Sequence, residues 1–283
     1  MASYLRPTRL ENALAALADR PRTLLAGGTD HYPARATFEP EEDILDLTAI
    51  PELNGIALQN GHWRIGALTT WTTIAEAPLP PIFNALKQAA LQVGGRQIQN
   101  AGTLIGNVCN ASPAADGIPP LLALDAEIEL RSPTATRTLP LASFVLGPRR
   151  TARRADEIAT ALLIPDAPGN SHFHKLGARR YLVISIAMVA ITLAQDPAGR
   201  ITRAAIAVGA CSPVATRLPA LETALLGHPP DPALLRPEHL APLSPIDDMR
   251  APASYRTEAV LELLRRSLEA FTPQASTHQA LAA

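Results

Sequence analysis

The stretch from Gln97 to Pro120 constrains this chain more than any other. It is rich in Gly, Asn, Ser, Ala and Pro, carries one charge beyond Arg96 (Asp116), and shows neither helical nor strand periodicity. Loops longer than about 12–15 residues inside a compact domain are usually functional or disordered. Leu104, Ile105, Val108 and Ile118 are apolar and spaced to be buried, which argues against disorder. The expectation is a long ordered loop. Its parts Gly102-Thr103-Leu104-Ile105-Gly106-Asn107 and Ser112-Pro113-Ala114-Ala115-Asp116 supply amide groups, hydroxyls and one carboxylate. Such a segment can wrap a flat polar cofactor or bond to itself as a compact Ω-loop, and the residues alone leave both open.

A second glycine feature lies upstream. Leu25-Ala26-Gly27-Gly28-Thr29-Asp30 places paired glycines directly after a short apolar strand, Thr23 to Ala26. Glycine lets the backbone approach an anion closely and turn its N–H groups inward, as in phosphate cradles. The segment is neither a Walker loop nor a G-x-G-x-x-G fingerprint. Plain turn chemistry is the competing reading.

The remaining elements read more regularly. Thr8 and Glu11 have the spacing of a capping box before a helix with Leu10, Leu14 and Leu17 on one face. A strand from Asp43 to Leu47 completes a strand–helix–strand unit in the first 50 or so residues. Trp63 to Leu68 is predicted as a strand, Thr72 to Ala77 as a short helix, and Ile82 to Val93 as a helix closed by Gly94-Gly95. Strands follow at Glu127 to Arg131 and Ile158 to Ile164, and the turn cluster Asp166 to Asn170 marks the preferred domain boundary. Met188 to Ala194 and Ile201 to Val208 form a hairpin across Asp196-Pro197-Ala198-Gly199. Beyond a Pro-rich connector, Val260, Leu261, Leu264, Leu268 and Phe271 stripe a last helix that starts near Ser254.

Composition narrows the function. The 283 residues suggest about two domains at ~150 residues each. With 25 basic and 26 acidic residues, the net charge of −1 gives no electrostatic footprint for nucleic acid or an anionic membrane. The longest nearly apolar run, Leu182 to Ala194, holds Ser185 and Thr192 and falls short of the ~20 residues that cross a bilayer. Two cysteines, Cys109 and Cys211, exclude a disulfide framework, a thiolate zinc site or an all-cysteine iron–sulfur cluster within the chain. No H-E-x-x-H or G-x-S-x-G motif is present, and His172 and His174 sit two apart with no third ligand in view. A cytoplasmic protein without membrane insertion is expected.

Together the two glycine segments resemble the FAD-binding subunit of the molybdenum hydroxylases, the family of the xanthine dehydrogenases and the medium subunit of aerobic carbon monoxide dehydrogenase. The resemblance runs along almost the whole chain. Tyr4-Leu5-Arg6-Pro7 precedes the first helix, Ala26 to Asp30 matches A-G-G-T-D, and Ile65 to Thr70 matches I-G-A-x-T-T. Gln97 to Asn107 followed by Ser112 to Leu124 matches the family's second flavin loop. Lys175 to Arg179 matches its K-x-x-x-R stretch, and Ala253 to Arg256 its A-x-Y-R. One position departs: Ile105 stands where relatives carry the first of two glycines, so either the local turn differs or that glycine is not obligatory.

The resemblance implies an α+β fold: a two-subdomain FAD-binding domain of the vanillyl-alcohol oxidase or molybdopterin dehydrogenase flavoprotein type over residues 1–168 (subdomains about 1–55 and 56–168). An α+β C-terminal domain, an antiparallel sheet with helices, would follow over 171–283. FAD would lie between the subdomains, with Leu24, Leu25, Ala26, Gly27, Gly28, Thr29, Asp30 and His31 under its pyrophosphate and Gly102, Thr103, Gly106 and Asn107 on the second side. Asp116 matches a carboxylate that contacts FAD, and Lys175 a lysine near the flavin's polar edge, where a positive charge favours the reduced anion. Phe173 would stand where relatives carry an aromatic near the ring. FAD would be held noncovalently, although Cys109 and His31 border the site, and Cys211 would be a small buried hydrophobe.

The implied role is an electron-transferring subunit. Partners would be a large molybdopterin subunit and a small subunit with two [2Fe–2S] clusters, assembled as a dimer of heterotrimers. Electrons would leave to NAD⁺, a quinone or another acceptor. Arg149, Arg150, Arg153 and Arg154 would either contact the iron–sulfur partner or form a solvated basic loop. The rival readings are an autonomous FAD oxidase with a pocket in the C-terminal domain, and a flavin-free scaffold.

Overall fold

The computed structural model describes residues 2–33 and 42–272. The chain opens with β1 (Tyr4–Leu5), α1 (Leu10–Asp19), β2 (Thr23–Leu25) and β3 (Ile44–Asp46), whose strands form a parallel three-stranded sheet with β3 central. Helix α1 buries Leu10, Ala13, Leu14 and Leu17, the face that its spacing specifies. The Thr8–Glu11 capping box is not formed. Arg9 is the N-cap without a side-chain cap bond, and the Leu10 N–H donates to Glu52 Oε1 at 2.9 Å. A carboxylate brought in from a neighbouring segment satisfies that orphan amide and suits the positive end of the helix dipole. Glu11 turns instead toward Arg9, 3.6 Å away.

Next come β4 (Ile56–Gln59), β5 (His62–Gly66), α2 (Trp71–Glu76) and α3 (Asn84–Gln92). Thr70 caps α2 by accepting from the Thr73 N–H at 3.2 Å. The expected long loop from Gln97 to Pro120 is in fact largely helical. It holds α4 (Arg96–Ala101), α5 (Leu104–Asn110) and the first turn of α6 (Ile118–Ala123). Each helix is too short to develop an amphipathic stripe, and every residue of α6 is buried. A helix surrounded by protein on all sides carries no polar face, so no period of 3.6 is written in it.

The chain continues with β6 (Glu127–Arg131), β7 (Thr136–Pro140), α7 (Leu141–Phe144), β8 (Val145–Gly147), β9 (Arg150–Thr151) and β10 (Ile158–Pro165). Strands β4-β5-β10-β6-β7 make an antiparallel sheet in that order, while β8 and β9 form a separate hairpin. One hydrophobic core runs from Leu10 of α1 to Ile164 of β10, joining the parallel sheet, the short helices and the antiparallel sheet.

A second antiparallel sheet, in spatial order, contains β11 (Asn170–Leu176), β12 (Ala187–Gln195), β13 (Ile201–Gly209) and β14 (Thr216–Arg217), followed by α8 (Pro219–Leu225) and α9 (Ala253–Glu269). Both faces of β12 are covered. Ala187, Val189, Ile191 and Leu193 meet Val260, Leu264 and Leu268 of α9. On the opposite face Met188 and Ala190, with Phe173 and Ala205, meet Ala85 and Ala89 of α3 and Ala123 of α6. Burial on both sides explains why this segment reads as an unbroken apolar run. Arg256 of the A-x-Y-R motif is buried and clamps the sheet, donating to the carbonyls of Ile186 and Ala210 and to Asp248 Oδ1 at 2.7 Å.

The outer edge of β11 is closed by α3 rather than by another strand. The Ala85 N–H donates to Ser171 Oγ and the Phe173 N–H to Gln88 Oε1, both at 2.7 Å. Phe173 is therefore a core residue, 2% exposed. On the other side of β11, the rings of His172 and His174 lie 4.4 Å apart, and His174 Nδ1 bonds to Ser267 Oγ of α9 at 2.8 Å. No third metal-ligating side chain joins them among the described residues.

Burial lowers the pKa of His172 to about 4, with His174 beside it adding to the effect. Burial, then Arg266, lowers that of His174 as well. The folded chain thus binds fewer protons than the unfolded chain between about pH 4 and the ordinary histidine value near 6.5. Stability should rise with pH across that window and fall on acidification. Urea midpoints at either end of it should differ, and the difference should shrink in His172→Leu.

Candidate cofactor site

The first turn follows β2. Leu25 is buried, Leu24 and Ala26 pack at the margin of the core, and the chain then reverses at Gly27-Gly28. Two independent constraints select glycine here. A Cβ on Gly27 would overlap the carbonyl oxygen of Ala101, and Gly28 has φ +66°, the left-handed region that side chains disfavour. Among the described residues, the N–H groups of Gly27, Gly28, Thr29 and Asp30 find no acceptor in the protein. Four successive unpaired amides on a half-buried turn are suited to an anion. His31 closes the turn, 3.3 Å from Glu42 and edge-on to Tyr32.

The second turn meets the first directly. Gly102 links α4 to α5 and packs under the Thr29 hydroxyl; a Cβ there would stand 3.1 Å from Thr29 Oγ1 and 2.9 Å from the Ile98 carbonyl. Thr103 caps α5 by accepting from the Gly106 N–H at 3.0 Å, and a Cβ at Gly106 would press within 2.7 Å of that hydroxyl. A side chain at 106 would therefore have to shift the capping hydroxyl. Ile105 is the second residue of α5, has no positive φ, and is 3% exposed in the core. A helical backbone accepts a β-branched residue, so glycine is not obligatory at 105. Asn107 Oδ1 accepts from the Gly117 N–H at 3.2 Å and so secures the turn that carries Asp116.

Asp116 and Lys175 come together across the two halves of the chain. Lys175 Nζ, from β11, donates to Asp116 Oδ2 at 2.6 Å, and Ser185 Oγ donates to Asp116 Oδ1 at 2.6 Å. The two ion-pair side chains are 5% and 10% exposed. Burial raises the pKa of Asp116, while Lys175 and Ser185 oppose that rise. Beside the pair lies a cavity of about 320 Å³, lined among others by Gln92, Lys175, Gly177, Arg179 and Leu182. Arg179 donates to the Leu182 carbonyl and holds the exposed bend there, where Leu182 has φ +51°.

The arrangement is therefore a glycine-lined turn with free amides, a capped glycine turn against it, and a buried cation–anion pair further on. Its sequence matches the model of the FAD binding domain in molybdopterin dehydrogenase over residues 1–167 and that of the CO dehydrogenase flavoprotein C-terminal domain over residues 172–271. The chain belongs to the FAD-binding medium subunits of the molybdenum hydroxylases. It is 35% identical over 236 residues to the nicotinate dehydrogenase FAD-subunit of Eubacterium barkeri, covering 80% of each chain. It is 30% identical over 271 residues to the nicotine 6-hydroxylase medium subunit of Paenarthrobacter nicotinovorans, covering 94% of this chain and 95% of that one. The carbon monoxide dehydrogenase of Hydrogenophaga pseudoflava superposes with a TM-score of 0.86 at 28% identity, over 95% of this chain and 96% of that chain. Reconstituted CO dehydrogenase from Oligotropha carboxidovorans gives a TM-score of 0.88 at 27% identity, with the same coverage.

This medium subunit thus has the α+β fold of its relatives and is an oxidoreductase subunit with an FAD-binding domain. Its donor set fits that cofactor, because the unpaired amides from Gly27 to Asp30 offer what a diphosphate requires. Burial pushes the Cys109 thiol up to about 11, which makes it a poor nucleophile. Cys211 is 1% exposed and packs in the C-terminal core. Several partners escaped sequence reasoning. Ser185 is only a polar break in an apolar run, and Gln88 and Gln92 read as ordinary helix-surface residues. None of the three has a one-dimensional signal, since each meets a residue distant in sequence. Gly27→Ala should separate the two turns, and the purified variant should hold several-fold less FAD per chain, measured from its visible absorbance against protein content.

Proposed function

We propose that Leu24, Leu25, Ala26, Gly27, Gly28, Thr29, Asp30 and His31, with Gly102, Thr103, Gly106, Asn107, Asp116 and Lys175, hold FAD. The chain's role would be to accept electrons from the [2Fe–2S] clusters of a small subunit and deliver them to NAD⁺, a quinone or another acceptor. A large molybdopterin subunit would complete the complex, as a dimer of heterotrimers. The domains would be 1–168 for FAD and 171–283 for the C-terminal unit. The observation that carries this reading is the meeting of the two glycine turns, the first with four amides that find no protein acceptor among the described residues. Family membership supports the assembly: relatives are named as FAD subunits or medium chains of larger dehydrogenases.

When bound, flavin supplies the ability to take up single electrons and release a pair. The protein's own groups do the rest. The backbone amides from Gly27 to Asp30 would donate to a diphosphate. Asn107 keeps the Asp116 turn in place, and Asp116 fixes the Lys175 ammonium at the wall of the cavity. Among the described residues both faces of β12 are filled, by α3 and α6 on one side and α9 on the other, which favours an electron-transfer role over an autonomous oxidase.

Expression with the neighbouring genes tests the assembly. A yellow-brown complex of three different chains, with FAD, molybdenum and iron, is the expected result; a chain that purifies alone with turnover of its own would overturn it. A second measurement addresses tuning. Lys175 and Asp116 neutralise one another, so Asp116→Asn should unmask the ammonium and raise the flavin midpoint potential by some tens of millivolts, ~30 mV being ~1.4 kcal/mol for a two-electron couple. Lys175→Met should lower it by less, because the stranded Asp116 takes up a proton. Redox titration of both variants would show it.

A further inference from the structure

We propose that Arg149 is a positioning residue of the FAD site, a clamp that joins the two glycine turns and cancels the charge of Asp30. This rests on the reading that those turns hold FAD. Arg149 sits at the tip of the β8–β9 hairpin with φ +59°, and its own N–H donates to the Ala111 carbonyl at 2.9 Å, just past the end of α5. From there the guanidinium reaches two groups at once. Nη1 donates to Asp30 Oδ2 at 2.6 Å and to Asn110 Oδ1. Asp30 ends the first turn, and Asn110 is the last residue of the helix that begins at the second.

The energetic logic is electrostatic rather than structural. Both side chains of the ion pair are more than half exposed, at 58% and 51%, and exposed pairs add little to fold stability. Asp30, however, carries the last of the amides that would face a diphosphate, where an uncompensated carboxylate repels the ligand. Arg149 removes that repulsion, and its Nη1 amino group, donating to both, holds Asp30 and Asn110 together. The neighbouring arginines do otherwise: Arg153 donates to the Glu157 carbonyl, and the Arg154 N–H to the Glu157 carboxylate. Arg149 alone of the four pairs with the first turn among the described residues.

The test is FAD affinity of the full chain after removal of flavin, followed by quenching of FAD fluorescence, for wild type, Arg149→Gln, Arg149→Lys, Asp30→Asn and the Arg149→Gln/Asp30→Asn pair. Arg149→Gln should bind FAD about tenfold more weakly at low salt, with an unchanged thermal midpoint. That loss should shrink as ionic strength rises from about 0.01 M to about 1 M, over which the screening length falls from ~30 Å to ~3 Å. Asp30→Asn should restore most of the affinity in the Arg149→Gln background, and Arg149→Lys should retain an intermediate affinity. Wild-type affinity in Arg149→Gln, a loss insensitive to salt, or failure of Asp30→Asn to rescue would each overturn the clamp while leaving the FAD reading intact. A wild-type chain that takes up no FAD would overturn both.

Discussion

The ion pair between Asp116 and Lys175 joins β11 to the turn before α6, across a seam of apolar packing and of hydrogen bonds from α3. Asp116 comes from the turn before α6 and Lys175 from the edge strand β11, and Ser185 fills the remaining oxygen of the carboxylate. Removing two charges from water is expensive, and the loss is recovered only when geometry is good and every lone pair is used. Here both carboxylate oxygens are occupied at 2.6 Å. Losing one partner of such a buried pair typically costs ~3–5 kcal/mol, because the other charge is then stranded. The pair is thus a strong statement about register: it is satisfied only when β11 lies against α3 and α6 in one position.

The two glycine turns follow a different principle. Gly27 and Gly102 are chosen for closeness, since a methyl group at either would push backbone against backbone. Removing side chains from a contact brings two chains of amides to one place, and on the first turn those amides have no protein acceptor among the described residues. On a part-exposed turn such groups are open to water or to a ligand. Closeness and donors without a protein acceptor are the two features that set this turn pair apart from plain turn chemistry.

Much of this was legible in the sequence, and what was not has physical reasons. The strands β2, β3, β10, β12 and β13 announce themselves by apolar runs bounded by turn residues, and α9 by its stripe. The glycine turns are visible because φ > 0 and close approach both demand one residue type. The helices α4 and α5 hide because one or two turns are too short to set a period, and α6 because it is buried all round and has no polar face. The cap of α1 hides because Glu52, not Glu11, reaches its amide. Ser185 and Arg149 hide for the same reason: each finds its partner only after distant segments have folded together.

The seam between the halves has an implication for how such chains diverge and recombine. Phe173 and Met188 of the sheet pack with Ala85 and Ala89 of α3 and Ala123 of α6, so large residues on one side are matched by methyl groups on the other. A chimaera that exchanged the C-terminal sheet for a relative's would carry over one half of this steric lock without its counterpart. Grafting would succeed only where alanines on α3 and α6 travel with the sheet. The unit of inheritance is therefore the mated surface, and it straddles the point where the family is customarily cut in two.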